Sequence, residues 1–175
     1  MSILTKQTTG DFAGHITIDV SQALFAQFEE YCNGRFHYQM GGKCSNLGQF
    51  PPTFELNGQP CDGVDCSGYV RAILEYATAG GLSGMPDGSF VQDDWFKSQG
   101  FKASEYAECG NNDNLVRVCV HRPNGRGGDP TGHIWLCVNV HTVESYGGHG
   151  PGNRPWNDAL LVSLVDDVYV LGELV

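Results

Sequence analysis

No stretch of this 175-residue sequence approaches the ~20 consecutive apolar residues that a membrane-spanning helix needs, although 41% of its positions are hydrophobic. The opening segment, Met1 to Gly10, sets Lys6 among Thr, Gln and Ser and lacks the apolar centre of a secretory signal. Basic residues are scarce. Ten Lys and Arg stand against 20 Asp and Glu, and the resulting charge of −10 repels nucleic acid and anionic lipid, so neither is expected as a partner. Also missing are a Cys-x-x-Cys pair, a glycine-rich phosphate loop, a dinucleotide fingerprint and a His-Glu-x-x-His helix. A structural zinc site would have to be assembled from scattered ligands, and no metal or other cofactor is expected. The composition thus predicts a soluble chain made in the cytoplasm without a classical export address.

What is present suits one domain over residues 1–175, with enough apolar and aromatic side chains for a single sizeable core. The 24 glycines and 8 prolines lie mostly between short apolar runs, which predicts a fold rich in loops. Seven cysteines are many for a cytosolic enzyme, and their number is odd. Cys44 and Cys61 flank a loop-like segment and are the first candidates for a disulfide. Cys119 and Cys137 lie in strand-like runs, where they read as small buried hydrophobes.

Ser21 can cap a helix running to about Tyr31, because Leu24, Phe25, Phe28, Tyr31 and Cys32 recur on one face. Arg35 to Val64 reads as irregular. The clearest helix begins after Asp65, a good N-cap: Val70, Ile73, Leu74 and Ala77 form one apolar stripe that ends at Gly80-Gly81. A third helix is predicted over Ser89 to Gln99, stopped by Gly100. Short β-type runs follow at Leu115–His121, His133–Val138, Thr142–Tyr146, Leu160–Val165 and Val168–Leu171. Helices first and strands afterwards predict an α+β fold, an antiparallel sheet with helices packed on one side.

Cys66 is the first helical residue after the Asp65 cap, where unpaired N–H groups and the helix dipole favour a negative charge. The thiolate is the nucleophilic form of cysteine, so this is a place where a cysteine can become reactive. Gly68 would leave space for a substrate backbone to approach. A buried structural cysteine is the plainer alternative. The wording of the segment weighs against that alternative.

Asp65-Cys66-Ser67-Gly68-Tyr69-Val70 resembles the nucleophile motif of the NlpC-type cell-wall peptidases, a family with a papain-like fold. Tyr38-Gln39-Met40-Gly41-Gly42 is similar to the Tyr-x-x-Gly-Gly stretch that precedes it, and Gly132-His133-Ile134-Trp135-Leu136 to the strand bearing the catalytic histidine. The resemblance spans about Arg35 to Tyr146. It implies that Cys66 is the nucleophile and His133 the general base, where a random histidine would merely sit exposed at a strand end. The family often orients its base with His, Asn or Gln from the next strand, whereas the matching residue here is Glu144. A carboxylate can accept the imidazole N–H and stabilise the imidazolium. If Asn139-Val140 form a two-residue turn, alternation puts Glu144 on the face of His133; a three-residue turn would put it on the other. The resemblance also places the Tyr38 hydroxyl near the nucleophile, as a possible oxyanion donor beside the Cys66 N–H, with core packing as the alternative. The glycine-rich stretch Tyr146 to Trp156 would line a substrate groove, with Trp156 at its end and Arg154 meeting a ligand carboxylate, unless it is an ordinary surface loop.

The implied reaction is hydrolysis of an amide in the peptide stem of peptidoglycan, typically between D-glutamate and the following diamino acid, with no metal or cofactor. The expected partners of this monomer are the stem peptide and a cognate inhibitor protein. A phage, virion or secretion machine would deliver it to the wall. Two other readings stay open: a related thiol amidase or acyltransferase on a non-wall substrate, and a silent wall-binding or virion domain.

Overall fold

The computed structural model describes residues 3–175. Along the chain run β1 (Thr5–Lys6), β2 (Ile16–Thr17), α1 (Gln22–Cys32), β3 (His37–Tyr38), β4 (Lys43–Cys44), β5 (Phe54–Leu56), β6 (Gln59–Cys61), β7 (Gly63–Val64), α2 (Cys66–Ala77) and α3 (Ser89–Gln99). Then come β8 (Lys102–Ala103), β9 (Leu115–His121), β10 (His133–Val138), β11 (His141–Tyr146), β12 (Gly150–Gly152), α4 (Ala159–Leu164) and β13 (Asp167–Glu173). The mixture of helices and antiparallel sheet is the α+β class expected. Among the described residues, no helix is long and apolar enough to cross a membrane.

The main sheet has six antiparallel strands in the order β12-β11-β10-β9-β13-β8. The β10–β11 hairpin turns on Asn139 and Val140, both at positive φ (45° and 68°), so it is the two-residue form, with Val138 opposite His141 and Leu136 opposite Val143. Alternation then divides the side chains. Val118, Val120, Ile134, Leu136 and Val143 face the core shared with α1, α2 and α3, while Cys119, Trp135, Cys137 and Val168 enter a second cluster with Leu161 of α4. The sheet is therefore covered on both faces, which departs from the one-sided packing expected. It also explains why β9 and β10 are buried at almost every position rather than at every second one.

The stripe on α2 performs as its spacing predicts: Val70, Ile73, Leu74 and Ala77 are all buried against the sheet. Truncating Leu74 to Ala would cost about 2–5 kcal/mol, the usual range for a buried large side chain. Other expectations need correction. Leu160–Val165 is not a strand, because the Asp158 carboxylate caps the N–H groups of Leu160 and Leu161 (3.1 and 3.4 Å) and starts α4. Only Leu161 of that helix is buried, a helical and not an alternating pattern. Arg35 to Val64 is not wholly irregular either, since β4, β5 and β6 form a small sheet. In it Phe54 pairs with Cys44 on one side and with Cys61 on the other. With strands about 4.8 Å apart, the two cysteines are separated by about twice that spacing. The expected Cys44–Cys61 disulfide is therefore excluded in this fold, and all seven cysteines are free thiols.

Candidate active site

Asp65 organises the start of α2. Its Oδ1 accepts the Gly68 N–H (2.7 Å) and the Ser67 hydroxyl (2.9 Å), while Lys43 Nζ donates to both carboxylate oxygens (2.8 and 2.7 Å) and to Ser67 Oγ (2.6 Å). Gly41 N–H donates to Oδ2 (3.1 Å), and Asp65 N–H in turn reaches the Gly42 carbonyl (3.1 Å). The Gly41-Gly42 pair thus has a physical meaning: Gly41 sits at φ +79°, and a Cβ on Gly42 would lie 2.5 Å from the Gly63 carbonyl. Gly68 has a different purpose from the one expected. A Cβ there would lie 2.5 Å from the Gly42 carbonyl, so the missing side chain lets the chain's own backbone pass, and no open space for a substrate remains beside it. This clamp holds Cys66, which is 6% exposed, at the first position of the helix.

His133 opens β10, next to His121 on β9. The two-residue turn brings Glu144 onto its face, and His133 Nε2 meets Glu144 Oε2 at 2.7 Å. That bond leaves Nδ1 as the ring nitrogen free to serve Cys66. Burial by itself would lower the His133 pKa, but hydrogen bonding to Cys66 and Glu144, and then their charges, raise it from 6.5 to about 9. Glu144 is fully buried and fully bonded. Arg154 donates through Nε to Oε1 (2.9 Å) and through Nη2 to Oε2 (2.8 Å), and Thr142 Oγ1 donates to Oε1 (2.8 Å). Burial favours its neutral form, yet the bonds from His133 and Arg154 and their charges outweigh it and hold the carboxyl at about 2.

Arg154, which sequence reasoning assigned to a ligand carboxylate, has its fork on Glu144. Its guanidinium also lies 4.5 Å from the centroid of the Tyr146 ring. Tyr38 pairs with Val64 and lines the same cleft as His133; burial first, then the charges of Cys66 and Asp65, push its hydroxyl up to about 12. That cleft, of about 340 Å³, is completed by Met40, Gly132, Tyr146 and the α4 residues Leu160 and Leu164. Trp156 is not in it. Its carbonyl accepts the Tyr106 hydroxyl (2.6 Å), and it lines a different cavity with Val165. The stretch from Tyr146 to Trp156 is also less loop-like than expected, because β12 within it pairs with β11.

Two participants, Lys43 and His121, escaped sequence reasoning, and a third, Arg154, was given the wrong partner. Lys43 is 22 residues from Asp65, and Arg154 offered no sign that its partner was a protein carboxylate. His121 is 1% exposed and lines the cleft; its Nδ1 lies 2.9 Å from the Leu164 carbonyl and 3.1 Å from Asp166, and its Nε2 has no hydrogen-bond partner. Only its place opposite His133 in the sheet could have singled it out. The assembly as a whole is a thiol at a helix N-terminus, an imidazole beside it and a buried carboxylate behind the imidazole. Such a set can deliver a nucleophile and move one proton.

No protein-family profile matches the sequence, and no curated protein does. Among solved structures, the peptidoglycan hydrolase RipB from Mycobacterium tuberculosis is similar, with a TM-score of 0.48 and 21% identity over 86% of this chain and 67% of that one.

Proposed function

We propose that this chain is a papain-like cysteine peptidase of the NlpC type, which hydrolyses an amide bond in the peptide stem of peptidoglycan, between D-glutamate and the next diamino acid. The observation that supports it most is the order Cys66, His133, Glu144, with the 2.7 Å bond between the last two fixing which imidazole nitrogen serves the thiol. The Cys66 thiol passes its proton to His133 Nδ1, and the sulfur attacks the amide carbonyl carbon. The Cys66 N–H and the Tyr38 hydroxyl donate to the developing oxyanion. His133, as imidazolium, then gives its Nδ1 proton to the leaving amine, the C–N bond breaks and an acyl-thioester remains. Water, deprotonated by His133, attacks the thioester and releases the acid. Glu144 and Arg154 stay charged throughout: the carboxylate orients and stabilises the imidazolium, and the guanidinium keeps the carboxylate ionised.

The test is digestion of purified peptidoglycan by the wild-type protein and by Cys66→Ala, with fragments identified by mass. Wild type should release peptides cut at the D-glutamyl bond, and the variant should release none. If wild type under reducing conditions yields no more than the variant, the wall is not the substrate.

A further inference from the structure

Three thiols that this reaction does not use meet on the face of the main sheet that α4 covers. Cys109 comes from the 3-10 turn Tyr106–Gly110, Cys119 from β9 and Cys137 from β10; their Sγ atoms all lie within 4.8 Å of one another, with Cys109 and Cys119 3.7 Å apart. Each is at most 1% exposed. A disulfide would hold two sulfurs about 2.0 Å apart and leave the third over. Thiolates on one ion, with metal–sulfur bonds of about 2.3 Å, stand about 3.8 Å apart in tetrahedral geometry and about 4.0 Å apart in trigonal geometry. The geometry points to a tris-thiolate site, formed by Cys109, Cys119 and Cys137, for a thiophilic d10 cation, zinc(II) or copper(I).

Charge and surroundings support the assignment. Arg117 is the cross-strand partner of Cys137 and lies two residues before Cys119, with 2% exposure. Its two terminal nitrogens bind Asp113 (3.0 and 2.6 Å), but its buried Nε–H has no acceptor. A thiolate is an acceptor that a neutral thiol only weakly replaces. On binding, three S–H bonds release three protons and three metal–sulfur bonds form, with no change of oxidation state. The site charge becomes −1 for a divalent ion or −2 for a monovalent one, and the Arg117 cation offsets one unit. The walls, Trp135, Leu161, Val165 and Val168, are apolar and exclude the hydration that harder cations retain. A cavity of about 630 Å³ shares Tyr106, Trp156 and Val165 with this cluster and offers an entry side.

The experiment is elemental analysis of the full chain, purified under argon, reduced, equilibrated with zinc(II) or separately with copper(I), and desalted. Wild type and Cys44→Ser should retain about one ion per chain in one of the two arms, and Cys109→Ser about tenfold less. Because Cys109→Ser could fail to fold, the native wild type supplies a second readout. Its Cys109, Cys119 and Cys137 should resist alkylation until a chelator strips the ion, while Cys44 and Cys61 react without it. Wild type that retains no more ion than Cys109→Ser in both arms, or that carries a Cys109–Cys119 disulfide by mass, overturns the assignment.

Discussion

Glu144 has two oxygens and four donors: one from His133, two from Arg154 and one from Thr142. An amide in its place cannot serve both cations, because half of it is a donor. Glu144→Gln should therefore let the imidazolium lose its proton more easily, bringing the alkaline limb of the pH–activity profile down from about 9 by roughly one unit or more. It should also cost about 3 kcal/mol in urea unfolding, since Arg154 loses its buried carboxylate and keeps only the longer contact to Asp158 (3.4 Å). An unmoved alkaline limb would mean that Glu144 only packs. The residue type was legible from the strand that follows His133. Its bond to Arg154 was not, because nothing in a glycine-rich stretch tells which carboxylate a cation will meet.

Helix α2 and the β10–β11 hairpin are the elements that bring the reacting groups together, and both depend on unusual backbone. At Gly68 an added Cβ would stand 2.5 Å from the Gly42 carbonyl, an atom of the backbone that cannot rotate away. Gly68→Ala should thus lose about 2 kcal/mol in thermal unfolding, in the range for overpacking, and should slow alkylation of Cys66 as the first turn shifts. The hairpin turn places a β-branched residue, Val140, at φ 68°, where an L side chain other than Asn or Asp is strained. Val140→Gly should relieve that strain and, after the entropy that glycine adds to the unfolded chain, stabilise the protein by about 0.5–1 kcal/mol. A lower melting temperature would show that the turn has another support. Helix α4 illustrates the reverse case: six residues are too few for periodicity to separate helix from strand, and the Asp158 cap was the signal that decided it.

Across the whole molecule, the His133–Glu144 pair ties stability to pH. Folded His133 titrates near 9 against a usual 6.5, so its contribution is complete below about pH 6.5 and is lost as pH rises through 9. Folded Glu144 titrates near 2 against a usual 4.5, so its contribution is present above about pH 4.5 and is lost as pH falls through 2. Urea midpoints should be highest between these limits and decline on both sides, and Glu144→Gln should flatten both declines. The sequence by itself determined what is local: the cap and stripe of α2, the place of Cys66 at its start, and the alternation that sets His133 and Glu144 on one face once the turn has two residues. Spacing of 3.6 or 2.0 residues and the chemistry of a cap act within a few positions of the chain. Tertiary structure alone decided the rest. It set Lys43 on Asp65, Arg154 on Glu144 and His121 in the cleft, placed Cys44 and Cys61 two strands apart, and gathered Cys109, Cys119 and Cys137 into one cluster. Those contacts join separate elements, and they exist only because the sheet order and the packing on its two faces bring distant residues within bonding distance.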